Sequence, residues 1–185
     1  DPAAAEERRT RTFENRGAVR GGQAVLERAD RDLASREGLL GALVRFGFLS
    51  AGEGERCNAG PAFKQLVREC RAVTLRLGAN TILWVAMERL PLFLSAWPAA
   101  RIGPFISQQL KPQPHPDPEE ALCQILLARL RYKGGLQVRP LCRELGLAES
   151  DAVTALMRLE SEGLLEAEGD GAERTWRERR PLAVH

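Results

Sequence analysis

Four cysteines and two histidines are the residues of this chain best suited to metal binding or nucleophilic catalysis. Cys57, Cys70, Cys123 and Cys142 are separated by 12, 52 and 18 intervening residues, and no CxxC pair occurs. His115 lies in a proline-rich stretch and His185 is the last residue. A structural zinc site wants four ligands, usually in close pairs, so no metal or cofactor is expected. Disulfides are open to an even number of cysteines. However, Cys70, Cys123 and Cys142 fall on apolar positions of expected helices, where cysteine behaves as a small buried hydrophobe. Reduced thiols in a nuclear or cytoplasmic protein are therefore the expectation. The sequence contains no GxxxxGK[ST], GxGxxG, GxSxG or HExxH, so the usual phosphate cradles, nucleophile elbow and zinc-protease helix are missing. Its carboxylates mostly share solvent-facing helix positions with arginines. The expectation is a protein that is not an enzyme and has no small-molecule substrate.

The chain has 185 residues, 44% of them hydrophobic and 28% charged. That fits one or two small domains with real cores and is too apolar for a disordered chain. Lys64, Lys111 and Lys133 are the only lysines among 27 basic residues, and the formal net charge is +2. Bulk charge therefore does not announce a nucleic-acid binder. The longest apolar stretch, residues 81–100, is interrupted by Glu88, Arg89, Pro91 and Pro98, so no membrane span is expected. The start at Asp1, without Met or a signal-peptide pattern, reads as an excised segment or processed product.

Composition divides the chain into zones. Residues 1–11 are charged and without periodicity, and are expected to be disordered or frayed. A long zone of helical patterning follows. KPQPHPDP at 111–118 places four prolines in eight residues, so 112–116 reads as a stiff linker. Residues 117–181 form a compact last domain. No fixed-period repeat is visible, although the two zones share features of one design.

The last domain is the most legible. Asp117, Pro118 and Glu120 make a strong helix start, and Gly134 with Gly135 stops that helix. Residues 136–138 are extended, 139–145 form a short helix closed by Gly146, and 149–162 a third helix with Ala152, Ala155, Leu156 and Leu159 at helical spacing. Gly163 ends it, and 164–168, a tight turn and 172–177 read as a hairpin. Within this stretch, GLAESDAVTALMRLESEGLLEAEGDG resembles the recognition helix and wing of the winged-helix superfamily, with Leu159, Gly163, Leu164 and Leu165 matching its L-x-x-x-G-L-[LIV] pattern. The resemblance covers about 65 residues. It implies a fold, and it leaves DNA binding and protein docking equally open.

A fainter copy is expected at 12–62. There ALVRFGFLSAGEGERCNAGPAF is similar to a degenerate helix and wing, with the helix at 34–46, the wing turn at 51–55 and a return strand at 56–59. An ordinary helix and loop is the alternative. Residues 63–111 are expected to be a helical segment. One helix spans 61–77, with Phe63, Leu66, Val67, Cys70, Thr74 and Leu77 as its stripe. A second spans 81–90 and is apolar nearly all round, with further apolar mass to Leu110. The resulting fold class is mainly α: tandem winged-helix-like domains joined by a helical segment, with small hairpin wings.

Charge separates the binding surfaces. Residues 117–185 hold 10 basic and 13 acidic residues, whereas 1–116 hold 17 and 12. Duplex affinity comes mainly from neutralised phosphates, so an acidic last domain is a poor lone DNA reader. Its third helix would present Glu149, Ser150, Asp151, Val153, Thr154 and Met157, few of which suit base or phosphate contact. Candidate nucleic-acid contacts are Arg36 and Arg45 on the N-terminal helix, Lys64, Arg68, Arg71 and Arg76 on the middle helix, and Arg174, Arg177 and Arg179 around Trp176. Trp84, Phe93 and Trp97 are candidate protein-docking residues, because exposed apolar patches mark partner surfaces; burial in the core is their alternative. Together these features suggest a non-catalytic subunit of a nucleic-acid-handling complex (transcription, replication or repair) that mainly docks other proteins and adds auxiliary DNA contact. A sequence-specific DNA-binding regulator is the alternative.

Overall fold

The computed structural model describes residues 32–103 and 116–180. The expected frayed stretch 1–11, most of the linker and both histidines lie outside them. The described chain is mainly helical, with two small antiparallel sheets.

Ser35 caps the first helix, α1 (Arg36–Phe46), its hydroxyl accepting from the Gly38 amide. Gly47, at φ +85, turns the chain into β1 (Phe48–Ser50). Residues 51–56 then correct an expectation: they form a helix, α2 (Ala51–Arg56), where a wing turn was expected. Ser50 and Glu53 build a capping box, which satisfies two amides at the helix start and outweighs the two glycines inside. Pro61 stands near the start of α3 (Gly60–Arg68).

The expected middle helices are corrected as well. α3 ends at Arg68, and the chain continues as a hairpin, β2 (Ala72–Leu77) and β3 (Thr81–Ala86), turning at Gly78. The apolar spacing of 61–77 fits a helix as far as Val67. Beyond it, buried Val73, Leu75 and Leu77 alternate with Thr74 and exposed Arg76, which is strand periodicity. β3 is apolar all round because it is an inner strand covered on both faces, a pattern that periodicity alone does not separate from a buried helix.

After a 3-10 turn, α4 (Leu90–Ala96) leads to β4 (Arg101–Ile102) at the sheet edge, giving strand order β1-β3-β2-β4. The C-terminal half then follows the expected order element for element. Asp117 caps α5 (Pro118–Lys133), which Gly134 closes. β5 (Leu136–Gln137), α6 (Val138–Leu145), α7 (Glu149–Ser161), β6 (Leu165–Glu168) and β7 (Thr175–Glu178) complete it, with strand order β5-β7-β6.

The two halves repeat one topology. α1-β1-α2-α3-β2-β3 and α5-β5-α6-α7-β6-β7 have the same order of elements, and in both the third strand sits between the first two. The N-terminal repeat is thus longer than expected: the helix at 36–46 corresponds to α5, α3 corresponds to α7, and the hairpin lies at 72–86.

The halves share one core. Leu122, Ile125, Leu126 and Leu130 of α5 join Phe48, Leu75, Val85 and Phe93 on one side and Leu145, Leu156, Leu159 and Trp176 on the other. A side-chain bond from Ser95 to the Pro116 carbonyl also ties α4 to the start of α5. The opposite face of the first sheet carries Leu49, Ala72, Trp84 and Ala86 against Leu39 and Leu43 of α1 and Phe63 and Leu66 of α3. There Phe63 and Trp84 stack with ring centroids 4.1 Å apart.

Candidate functional site

The best-placed cations lie on α3 and the strand that follows it. Ala62, Phe63 and Leu66 face the core, and Lys64, Gln65 and Arg68 face solvent. Because α3 ends at Arg68, the expected stripe of Lys64, Arg68 and Arg71 on one helix does not form. Arg71 is exposed in the turn and Arg76 is exposed on β2. In register beside Arg76 on β4 is Arg101, also exposed. Like charges directly opposite on adjacent strands repel, so this pair favours an anion near it.

None of these five cations makes an ion pair among the described residues, whereas Arg36, Arg129, Arg131, Arg139, Arg158 and Arg177 do. Arg36 holds Glu69 at 2.7 Å and Glu37 at 3.0 Å, and the hydrogen bonds it donates to Glu37 and Glu69 raise its pKa. Glu69, just beyond the last residue of α3, also accepts from Gln65 at 3.3 Å. Glu69 is therefore already engaged, and neither Lys64 nor Arg68 pairs with a carboxylate among the described residues.

The other candidates divide. Arg36 is on α1, which corresponds in element order to α5 rather than to α7, and is occupied by carboxylates. Arg45, on the same helix, is exposed, its guanidinium 5.8 Å from the Phe46 ring centroid. Arg174 packs over Trp176 at 5.6 Å, Arg177 pairs with Glu168 at 3.4 Å, and Arg179 is exposed. The docking candidates are corrected: Trp84 is 5% exposed and Phe93 is fully buried, while Trp97 is half-buried and stacks on Phe93 at 6.0 Å. Phe93 and Trp97 pack into the core shared with α5, and Trp84 is covered by α1 and α3 on the other face of the sheet.

A buried charge cluster at the junction of the halves has no counterpart in the sequence reading. Arg129 of α5, fully buried, reaches Glu53 of α2 at 2.5 Å, Glu144 of α6 and the Phe48 carbonyl at 3.4 Å. Its guanidinium lies over Phe48 at 4.3 Å and Tyr132 at 5.2 Å, and Lys133 adds a 2.8 Å contact to Glu53. Burial works to raise the Glu53 pKa, but the charges and hydrogen bonds of Arg129 and Lys133 outweigh it and hold the group at about 2. One signal was present: Arg129 stands seven residues after Leu122, on the apolar stripe of its helix. The cluster is charge-balanced, with Arg129 and Glu53 buried at its centre and Glu144 and Lys133 reaching solvent, and it joins the halves.

Cys123 and Cys142 are buried thiols, with pKa values pushed up by that burial, which makes them poor nucleophiles. Among the described residues no group of three or more His, Cys, Asp or Glu is arranged to hold a metal ion. No helix among them is long and apolar enough to cross a membrane.

Comparisons with known proteins add little. No family model matches the chain, and no curated protein matches it. One solved structure, the crystal structure of the DIP2311 protein from Corynebacterium diphtheriae, is 15% identical over 78% of this chain with a TM-score of 0.36. The match spans 26% of that protein's length, and the likeness is too loose to carry a fold or a function.

Proposed function

We propose that this chain is a non-catalytic, tandem winged-helix module of a nucleic-acid-handling assembly, and that its N-terminal half contacts the phosphate backbone through α3 and the β2–β3 hairpin. The supporting observation is a difference between two equivalent helices. α3 exposes Lys64 and Arg68 without ion pairs among the described residues, and Arg71, Arg76 and Arg101 extend the cationic surface along the following turn and strands. α7, at the same place in the C-terminal repeat, exposes Glu149 and Asp151 in its first turn, where they would repel a phosphate. A protein that reads DNA through α7, as a sequence-specific regulator would, is disfavoured by that charge. Burial of Trp84 and Phe93 removes the apolar patch that had favoured docking in the N-terminal half, which leaves phosphate contact as its stronger role.

Fluorescence anisotropy of labelled duplex and single-stranded DNA at two salt concentrations tests this. Neutralising about four phosphates gives a slope of log affinity against log salt near −3.6 for duplex and −2.8 for single strands. Reversing Lys64, Arg68 and Arg76 to Glu should abolish binding, while reversing Arg174, Arg177 and Arg179 should have the smaller effect. No binding at low salt, or loss only with the second set, overturns the proposal.

A further inference from the structure

We propose that the outer face of α7 is a docking site for a cationic amphipathic helix of a partner protein. Met157 and Leu164, 53% and 40% exposed, are the large apolar side chains left on the surface of the described residues. Met157 belongs to a stripe of Ser150, Thr154, Met157 and Ser161, all exposed and at helical spacing on the side away from buried Ala152, Ala155, Leu156 and Leu159. Leu164 follows directly beyond the helix end at Gly163.

Two of the three hydroxyls of that stripe are already used. Thr154 Oγ1 donates to the Ser150 carbonyl at 2.8 Å, and Ser161 Oγ donates to the Arg158 carbonyl at 2.7 Å. Covering the face with apolar side chains therefore strands neither of these donors, and stranded donors are the main penalty of dry association. The same engagement leaves both hydroxyls poorly placed to donate to base edges. Apart from Met157 the stripe is small, so a partner helix can approach closely.

Charge selects the partner. Glu149, Asp151 and Glu160 on α7 are exposed on the flanks of this face, and Glu166, opposite Arg177 in the hairpin register, is exposed on β6. Glu149 has only a 3.7 Å contact to Arg139. Arg158, the cation within α7, is held by Glu119, Glu120 and Glu162. Arg179 lies beside Gly163 and tempers the acidity at that end alone. An acidic rim around an apolar centre matches a helix bearing Leu or Ile on one face and Lys or Arg along its edges.

Two fluorescein-labelled helical peptides of one heptad pattern, one of Leu and Lys and the other of Leu and Glu, provide the test. Titration with the whole chain should give binding of the Leu/Lys peptide at least tenfold tighter than that of the Leu/Glu peptide. Met157→Asp should weaken the Leu/Lys peptide at least tenfold even though it adds a negative charge, which plain electrostatic attraction would turn into tighter binding. Reversing Asp151, Glu160 and Glu166 to Lys should exchange the preference of the two peptides, an outcome that misfolding does not produce. Equal binding of both peptides, or tighter binding by Met157→Asp, overturns the proposal. So does weakened DNA binding by Met157→Asp with peptide binding unchanged, which would assign α7 to a groove. Lys64→Glu with Arg68→Glu should leave peptide binding unaltered, so this test stands apart from the phosphate-contact test.

Discussion

Replacing Glu53 by glutamine removes one charge from the junction of the halves and keeps the side chain's shape. In the native protein Glu53 accepts from Arg129 and Lys133, and its Oε2 accepts from the Ser50 amide. Its pKa falls from 4.5 to about 2, a depression of roughly 2.5 units, worth about 3 kcal/mol at 1.36 kcal/mol per unit. A carboxylate whose folded pKa is depressed stabilises the fold fully above its unfolded value. That contribution is lost as pH falls from 4.5 through about 2. Glu53→Gln should therefore be less stable than the native protein by about 3 kcal/mol at pH 7, with the difference shrinking toward zero near pH 2. In urea the midpoint should fall by roughly 1.5 M, taking a slope of about 2 kcal/mol/M. Urea titrations of both proteins from pH 7 down to pH 3 measure this directly. A difference below about 0.5 kcal/mol at pH 7, or one that stays constant over that range, would refute the account of Glu53 as a charge partner. As a companion, the triple change Arg129→Met, Glu53→Gln, Glu144→Gln should recover much of the loss, since an apolar side chain in place of a buried ion cluster is often neutral or stabilising.

Further predictions concern glycines and thiols. A Cβ at Gly54 would lie 2.0 Å from the Trp84 ring, so Gly54→Ala should lower stability by about 3 kcal/mol and disturb the Phe63–Trp84 stack, visible in tryptophan fluorescence. Gly52→Ala, two residues earlier in the same helix and with open space around its Cβ site, should instead raise thermal stability by roughly 0.5–1 kcal/mol. Among the cysteines, exposed Cys70 should react with a thiol reagent in the native protein, and buried Cys123 and Cys142 only on unfolding. Equal rates at all positions would show that the C-terminal core is open.

The C-terminal half was legible because its signals are local. Asp117 before Pro118, Gly134, Gly146 and Gly163 mark element ends through caps and left-handed turns that need only neighbouring residues. The N-terminal half was read differently where local signals conflict with long-range pairing. Val73, Leu75 and Leu77 alternate as a strand, but the segment continues a helical stripe and becomes a strand because β3 and β4 pair with it. Ser50 and Glu53 spell a capping box, yet the glycines between and after them suggest a turn, and Gly54 is required by Trp84, 30 residues away.

The sequence by itself determined the ends of the C-terminal elements, the charge difference between the halves and the lack of clustered metal ligands. These follow from residue identity and short spacing. Tertiary structure alone decided that Trp84 and Phe93 are core, since burial depends on what α1 and α3 bring over the one and α5 over the other. It also decided that Arg36 pairs with Glu69 while Lys64 and Arg68 pair with no carboxylate among the described residues. The Arg129–Glu53 pair spans 76 residues, and no local pattern can select a partner at that separation. Only packing of α5 between the halves takes both charges out of water together, and that shared desolvation makes them a pair.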